Sequence, residues 1–288
     1  MFVVAGASGR TGSIVADTLL RAGKPVRVVL RDQATGGPWR ARGAEIAIAS
    51  LDDAHSLTRG LAGAEGAYLL SPQDMRSPDP ISDGWRIADA IARAVDGSGI
   101  GHVVMLSSMA AQHAEGTGIC RTLHAAEERL GAVRSRITFL RAAYFLESWA
   151  PVLGAVKEGK LPTFIRPDNV IPMVSTRDVG SAAARALLEG PPVTAREIVE
   201  LSGPRDISPL DLASMLARLV NRPVQTEHLP VEAVVPIFMG FGASRAFAEQ
   251  VGQMYRAIDE GKLSHDGGAR TVRGLLEPES LLREILRH

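Results

Sequence analysis

Three glycines stand at positions 6, 9 and 12, inside the run Met-Phe-Val-Val-Ala-Gly-Ala-Ser-Gly-Arg-Thr-Gly. A short β-branched stretch leads into them and a helical pattern follows, so they mark a strand–turn–helix. That arrangement suits a pyrophosphate. Gly6 lets the chain turn sharply, Gly9 leaves bare backbone beside the phosphates, and Gly12 lets the helix lie close on the strand. The open N–H groups of the helix N-terminus then face the anion. A second clue lies downstream, where the apolar run 26–30 ends in Arg31 and Asp32. An acid at this point commonly takes a ribose 2′-hydroxyl, whereas a guanidinium suits a 2′-phosphate. Arg10 adds a second positive charge on the same side. NADP(H) is therefore expected in preference to NAD(H). The alternative is that Arg31 is a solvated strand end and Asp32 takes the hydroxyl.

The elements that must hold these residues follow from periodicity. Strands are predicted over 2–5, 26–30, 45–49, 66–70, 102–106 and 137–140. Helices are predicted over 10–22, 53–61 (capped by Asp52 or Asp53), 80–95 and 121–130. Alternation at this pace implies an α/β fold with a doubly wound parallel sheet of the Rossmann type. Residues 1–147 form its nucleotide-binding domain, and 175–203 return to it through a helix at 176–189 and a strand at 196–201. Residues 148–174 and 204–288 lack the alternation. They predict a smaller, mostly helical lobe over the sheet's carboxyl edge, with helices at 208–220, 231–240, 244–260 and 277–286. Gly-Ser-Gly at 97–99 and the stretch 264–269 read as loops.

The totals narrow the function classes. The 288 residues carry 32 Lys+Arg and 32 Asp+Glu, so no basic surplus points to direct nucleic-acid binding. The single cysteine, Cys120, excludes an internal disulfide and a cysteine-rich metal site. No apolar run approaches the ~20 residues of a membrane helix, and no signal peptide is evident. A cytoplasmic protein with no membrane partner is expected. A homodimer is expected if the late helices present an apolar face.

Taken in order, several stretches resemble one family. They are Gly6-Ala7-Ser8-Gly9-Arg10-Thr11-Gly12, Val28-Val29-Leu30-Arg31-Asp32, Leu69-Leu70-Ser71-Pro72 and Val104-Met105-Leu106-Ser107-Ser108. His124-Ala125-Ala126-Glu127-Glu128, Phe139-Leu140-Arg141 and Glu200-Leu201-Ser202-Gly203-Pro204 complete the set. The chain resembles the NmrA-like group of atypical short-chain dehydrogenases, which includes quinone oxidoreductases, triphenylmethane-dye reductases and redox-sensing regulators. The resemblance implies that Gly6, Ala7, Ser8, Gly9, Arg10, Thr11 and Gly12 line the phosphates and that Arg31 meets the adenosine phosphate. It implies Leu70 and Ser71 near the adenine-side ribose, and Ser107 and Ser108 near the nicotinamide ribose after the fifth strand. Tyr144 and Phe145 would border nicotinamide and substrate.

Ordinary short-chain dehydrogenases use a Tyr with a Lys four residues on, the Lys lowering the phenol's pKa for proton transfer. None of Tyr68, Tyr144 and Tyr255 has Lys at that spacing. Similar reductases carry a His with Glu four residues later, here His124 and Glu128. His124 could contact the cofactor or shuttle a proton; with Tyr144 it is the candidate catalytic residue. The competing reading makes His124 a helix residue bonded to backbone or to Glu128. A metal at His124 and Glu128 lacks further ligands. Ser107-Ser108 lacks a nucleophile elbow, and Cys120 reads as a small buried residue. The substrate pocket is expected from Met75, Met109, His113, Trp149 and Phe238, with Met239 and Phe241 as further roof; each could instead be core. Glu147-Ser148 stands where the family often has Glu-Asn, and Ala142 where Asn or Pro is common.

Hydride transfer to a conjugated acceptor needs orientation and water exclusion more than a strong acid. The sequence thus predicts an NADPH-dependent reductase of a small aromatic or conjugated acceptor such as a quinone, dye or enone. The alternatives are a non-catalytic NADP(H)-binding regulator working through a protein partner, and a dedicated enone or imine reductase of a specialised pathway.

Overall fold

The computed structural model describes residues 1–267 and 269–287. Gly268, in the stretch 264–269 read as a loop, lies outside the described residues, as does the last residue of the predicted lobe. The chain alternates as the apolar pattern requires. Strands and helices follow in the order β1 (Phe2–Ala5), α1 (Arg10–Arg21), β2 (Val26–Leu30), α2 (Gly37–Arg40), β3 (Glu45–Ile48), α3 (Ala54–Leu61), β4 (Gly66–Leu69), α4 (Pro80–Ser98), β5 (His102–Ser108), α5 (Arg121–Gly131) and β6 (Arg136–Ala142). After these come β7 (Tyr144–Phe145), β8 (Lys160–Thr163), β9 (Met173–Val174), α6 (Thr176–Glu189), β10 (Arg196–Ser202), α7 (Pro209–Val220), β11 (Gln225–His228), α8 (Val234–Gly240), α9 (Arg245–Asp259), β12 (Arg270–Arg273) and α10 (Pro278–Ile285).

Eight strands form one sheet in the order β12-β10-β6-β5-β4-β1-β2-β3. Every pairing in it is parallel. The strand order reverses between β1 and β4, the point at which open α/β sheets hold their ligands. Strand residues alternate between two cores, which makes the sheet doubly wound. Val4, Tyr68, Val104 and Leu140 pack with Val15, Leu19, Val179 and Ala183 of α1 and α6. Val3, Leu69, Met105 and Phe139 pack with Leu57, Ile91 and Leu130 of α3, α4 and α5.

Local chemistry fixes the element ends. Asp53 caps α3, accepting from His55 N. Ser175 caps α6. Ser208 and Asp211 form a capping box that opens α7, with Pro209 at its first position. Several boundaries differ from the sequence reading, two of them at runs it had singled out. The helix α4 runs through Gly97 and Ser98 and ends at Gly99, whose φ of 69° is left-handed, so 97–99 is the end of a helix rather than a loop. And β5 extends through Ser107 and Ser108, because both keep pairing with Arg141 and Ala142 of β6.

The lobe has its own core, including Leu146, Trp149, Leu153, Leu161, Ile165, Leu212, Leu216, Ile258 and Leu282. It is built from helices, a 3-10 stretch over Leu146–Glu158, and two small parallel pairs, β8 with β11 and β7 with β9. One segment within the predicted lobe belongs elsewhere. β12 leaves it and adds to the main sheet beside β10. Its residues Arg-Thr-Val-Arg are exposed except for half-buried Val272, so no apolar alternation announces a strand.

Candidate active site

The glycine turn does what its spacing predicts. Gly6 has a φ of 65°, where a side chain would be strained. A Cβ on Gly12 would stand 2.4 Å from Gly6 O and 2.6 Å from Ala5 O, so only glycine lets α1 sit this close to β1. A Cβ on Gly9 would meet only Gly6 O, at 3.3 Å. Gly9 opens α1 without a side-chain cap, and no acid lies in the first turn. The helix thus presents open N–H groups and the positive end of its dipole. Ala7 packs into the core through its methyl group, Ser8 is exposed, and Leu70 lies over Gly6. Thr11 is turned inward. Its hydroxyl accepts from Tyr68 Oη at 2.8 Å, locking β4 to the first turn of α1 and leaving its backbone for an anion. Burial holds the Tyr68 phenol far above its ordinary range.

Charge follows the same division. Asp32 is engaged locally, its Oδ1 accepting from Ala34 N at 2.8 Å. The guanidinium groups of Arg10 and Arg31 have no partner among the described residues. Ser71, just past β4, has a buried Oγ without a hydrogen-bond partner. An uncapped helix end, two free cations and an orphaned hydroxyl around one turn fit a phosphorylated dinucleotide.

Toward β5 and β6 the charges are paired instead. Arg141 is 5% exposed and grips Glu127 of α5 through Nε (2.9 Å) and Nη2 (2.7 Å), while its Nη1 reaches Asp266 at 2.9 Å. Ser107 Oγ donates to the same Glu127 at 2.6 Å. The hydroxyl, expected near the nicotinamide ribose, bonds to α5, because the strand continues and aims it there. Ser108 faces Cys120 Sγ at 4.0 Å. Beside them Glu200, fully buried, accepts from His265 Nδ1 (2.8 Å) and Asp266 N (2.7 Å), and His265 Nε2 lies 2.9 Å from Ser202 Oγ. Ser202, His265 and Glu200 repeat the order of an acyl-transfer triad. Ser202 is fully buried, however, so a substrate cannot reach its Oγ. The three side chains anchor the segment 262–267 across the edge of the sheet.

The other expected residues fall as follows. His124 donates from Nδ1 to Ala111 O at 2.8 Å, with Nε2 3.6 Å from the exposed carboxylate of Glu128. The ring is thereby clamped between α5 and the loop after β5, and Nε2 is the edge left for a ligand. His113 is half-buried in that loop. Met109 packs in the main core at 2% exposure and Trp149 in the lobe core at 4%. Both were expected on a pocket wall; the close of β5 onto Ala142 and the apolar centre of the lobe draw them in. Trp149 still has a buried Nε1 without a partner and stands edge-on to Tyr144, ring centroids 6.5 Å apart. Phe238 of α8 is half-buried, and Met75, Met239 and Phe241 are exposed. The turn into α9 is bonded to the Met75 loop through Ser244, whose N–H donates to Met75 O. Glu147 caps α6 through Thr176 N and Oγ1. Cys120 is buried and its thiol is pushed up to about 11, so it is not a thiolate nucleophile. Among the described residues no group of three or more His, Cys, Asp or Glu side chains could hold a metal ion, and no helix is long and apolar enough to cross a membrane.

Tyr144, with Phe145 in β7, is half-buried, and its Oη lies 3.3 Å from Tyr255 Oη. Burial first, and Tyr255 second, hold its phenol well above the ordinary value. Tyr255 was missed by sequence reasoning because it lies 111 residues away along the chain.

The profile of the NmrA-like family matches residues 1–277. The chain belongs to the NmrA-like family. Among curated proteins, this NmrA-like chain is 30% identical over 239 residues to the (4-alkanoyl-5-oxo-2,5-dihydrofuran-3-yl)methyl phosphate reductase of Streptomyces griseus, covering 81% of the chain and 78% of the relative. It is 23% identical over 257 residues to the NAD(P)H azoreductase of Xenophilus azovorans, covering 88% and 86%. An NADPH-dependent quinone oxidoreductase from Escherichia coli, solved with NADPH, shares the fold with a TM-score of 0.82 at 19% identity, over 99% of this chain and 100% of that one. The NmrA-like chain is an oxidoreductase of this NAD(P)H-dependent group.

Proposed function

We propose that the chain is a cytoplasmic NADPH-dependent reductase of a small, conjugated or aromatic acceptor. One observation carries the reading: the glycine turn leaves open N–H groups and two unpartnered guanidinium groups together, while the neighbouring Asp32 is bonded to its own backbone. Gly6 to Gly12 would hold the diphosphate, Arg31 and Arg10 the 2′-phosphate, and the free Ser71 hydroxyl a ribose oxygen. The nicotinamide, when bound, supplies the hydride.

The chain's own residues do the rest. His124 Nε2 is assigned to the cofactor, Nδ1 being fixed on Ala111. Ser108 and Phe145 border the nicotinamide. Tyr144, kept protonated by its surroundings, is assigned as the proton donor to the reduced acceptor. Met75, His113 and Phe238, backed by Met109 and Trp149, orient a flat acceptor and exclude water. The two curated relatives named above are named for acceptors with a conjugated double bond, an azo group or an unsaturated lactone. That shared chemistry supports the acceptor class.

The test is anaerobic NADPH oxidation against a quinone, an azo dye and a butenolide. Turnover with at least one is expected. Tight NADPH binding with no turnover on any of them would replace the reductase with the regulator.

A further inference from the structure

Reduction of a conjugated acceptor by hydride leaves an anion that must gain a proton. The usual Tyr–Lys pair is missing, and Tyr144 alone holds a single proton. Among the described residues the groups that act on its hydroxyl are Tyr255 and Ser148, and neither is a cation that would stabilise a phenolate. Once Tyr144 has given its proton away, something must return one in the same event.

Tyr255 is placed to do so. Its Oη is 3.3 Å from that of Tyr144. Its ring packs on Phe164, centroids 5.1 Å apart. The same residue borders a cleft of about 290 Å³ in the lobe, walled also by Phe164, Arg166, His228, Arg256 and Asp259. Tyr255 thus touches both the Tyr144 hydroxyl and a space large enough for several waters. Burial raises its phenol too, so neither tyrosine rests as a phenolate at neutral pH.

Resting on the reductase reading above, we infer that Tyr255 is a positioning residue that keeps Tyr144 charged with a proton drawn from the water of this cleft. After hydride adds to the acceptor, the Tyr144 O–H bond breaks as a new C–H or O–H bond forms on the anion. The Tyr255 O–H bond breaks as the Tyr144 O–H bond is remade, and water reprotonates Tyr255. One solvent proton is consumed per hydride, and no phenolate accumulates.

Tyr255→Phe removes only the hydroxyl and keeps the ring on Phe164, so the fold is expected to survive. The chain has only three tyrosines, so protein labelled with ¹³C at tyrosine Cζ gives three lines without any cofactor bound. In Tyr255→Phe one line disappears, the Tyr144 line shifts, and the Tyr68 line, held by Thr11, stays. With NADPH and either menadione or unsubstituted butenolide, kcat falls about ten- to a hundredfold, within the ~10²–10⁴ range of general acid catalysis. The solvent deuterium isotope effect on kcat changes, and the KM for NADPH holds. An unmoved Tyr144 line, or kcat and isotope effect equal to wild type, overturns the relay while the reductase reading stands. Wild-type protein that oxidises NADPH with none of menadione, butenolide and an azo dye overturns both.

Discussion

The two ends of the candidate site handle charge in opposite ways. At the nucleotide end, side chains that could neutralise an anion site are occupied elsewhere: Thr11 holds Tyr68 and Asp32 holds Ala34. Backbone N–H groups, Arg10 and Arg31 are left open. At the β5–β6 end the buried charges among the described residues are paired, Arg141 with Glu127 and Asp266, and Glu200 with His265. A site that takes a multiply charged ligand keeps cations unpaired, because the ligand brings the counter-charge. A site for a flat, uncharged acceptor must neutralise its own charges, since an unpaired one would be costly away from water.

The comparison can be broken most forcefully at Arg141. Arg141→Met leaves Glu127 and Asp266 without their cation, Glu127 almost wholly buried. The expected cost is about 3–5 kcal/mol of stability in a urea titration. A change within 1 kcal/mol would mean the paired end tolerates a free charge after all.

Acid sensitivity sharpens the contrast. His102, at the opposite edge of the sheet, is 2% exposed, with Nε2 3.1 Å from Thr138 Oγ1. Burial lowers its pKa to about 4. The unfolded chain therefore binds a proton that the fold refuses, and stability falls as pH drops from about 6.5 toward 4, by up to about 3 kcal/mol. His102→Gln should flatten that slope. A slope unchanged in the variant would move the acid sensitivity to the paired carboxylates of the acceptor end.

A subtler probe is Gly9→Ala. The new methyl meets only Gly6 O at 3.3 Å, so Tm should move by a few degrees at most, while NADPH affinity falls about tenfold or more as the methyl occupies the phosphate's place. A large loss of Tm with affinity kept would make Gly9 a folding residue only.

The same contrast explains what the sequence disclosed. The nucleotide end is contiguous and built from backbone, so glycine spacing, helix start and the strand-end Arg31 were readable from 32 residues. The first six strands and the start of α3, with its cap narrowed to Asp52 or Asp53, were readable because apolar period and capping chemistry are local. The acceptor end is assembled from β5, α5, β6, β10 and the segment after α9, and its pairs span up to 125 residues. Adjacent glutamates hid the choice between them: Glu128, four residues after His124, is exposed, and it is Glu127 that turns inward to Arg141. Met109 and Trp149 could not be sorted into wall or core by type. β12 escaped because an exposed edge strand needs no apolar alternation.

The central claim is that Arg31, left without a partner beside an engaged Asp32, selects the phosphorylated dinucleotide. Fluorescence titration of wild type and Arg31→Asp with NADPH and with NADH tests it directly. The expected result is tighter NADPH than NADH binding in the wild type, with Arg31→Asp weakening NADPH by about ten- to a hundredfold, the scale of one charge-assisted phosphate contact, and leaving NADH nearly unchanged. Equal losses for both nucleotides, or none for either, would contradict it.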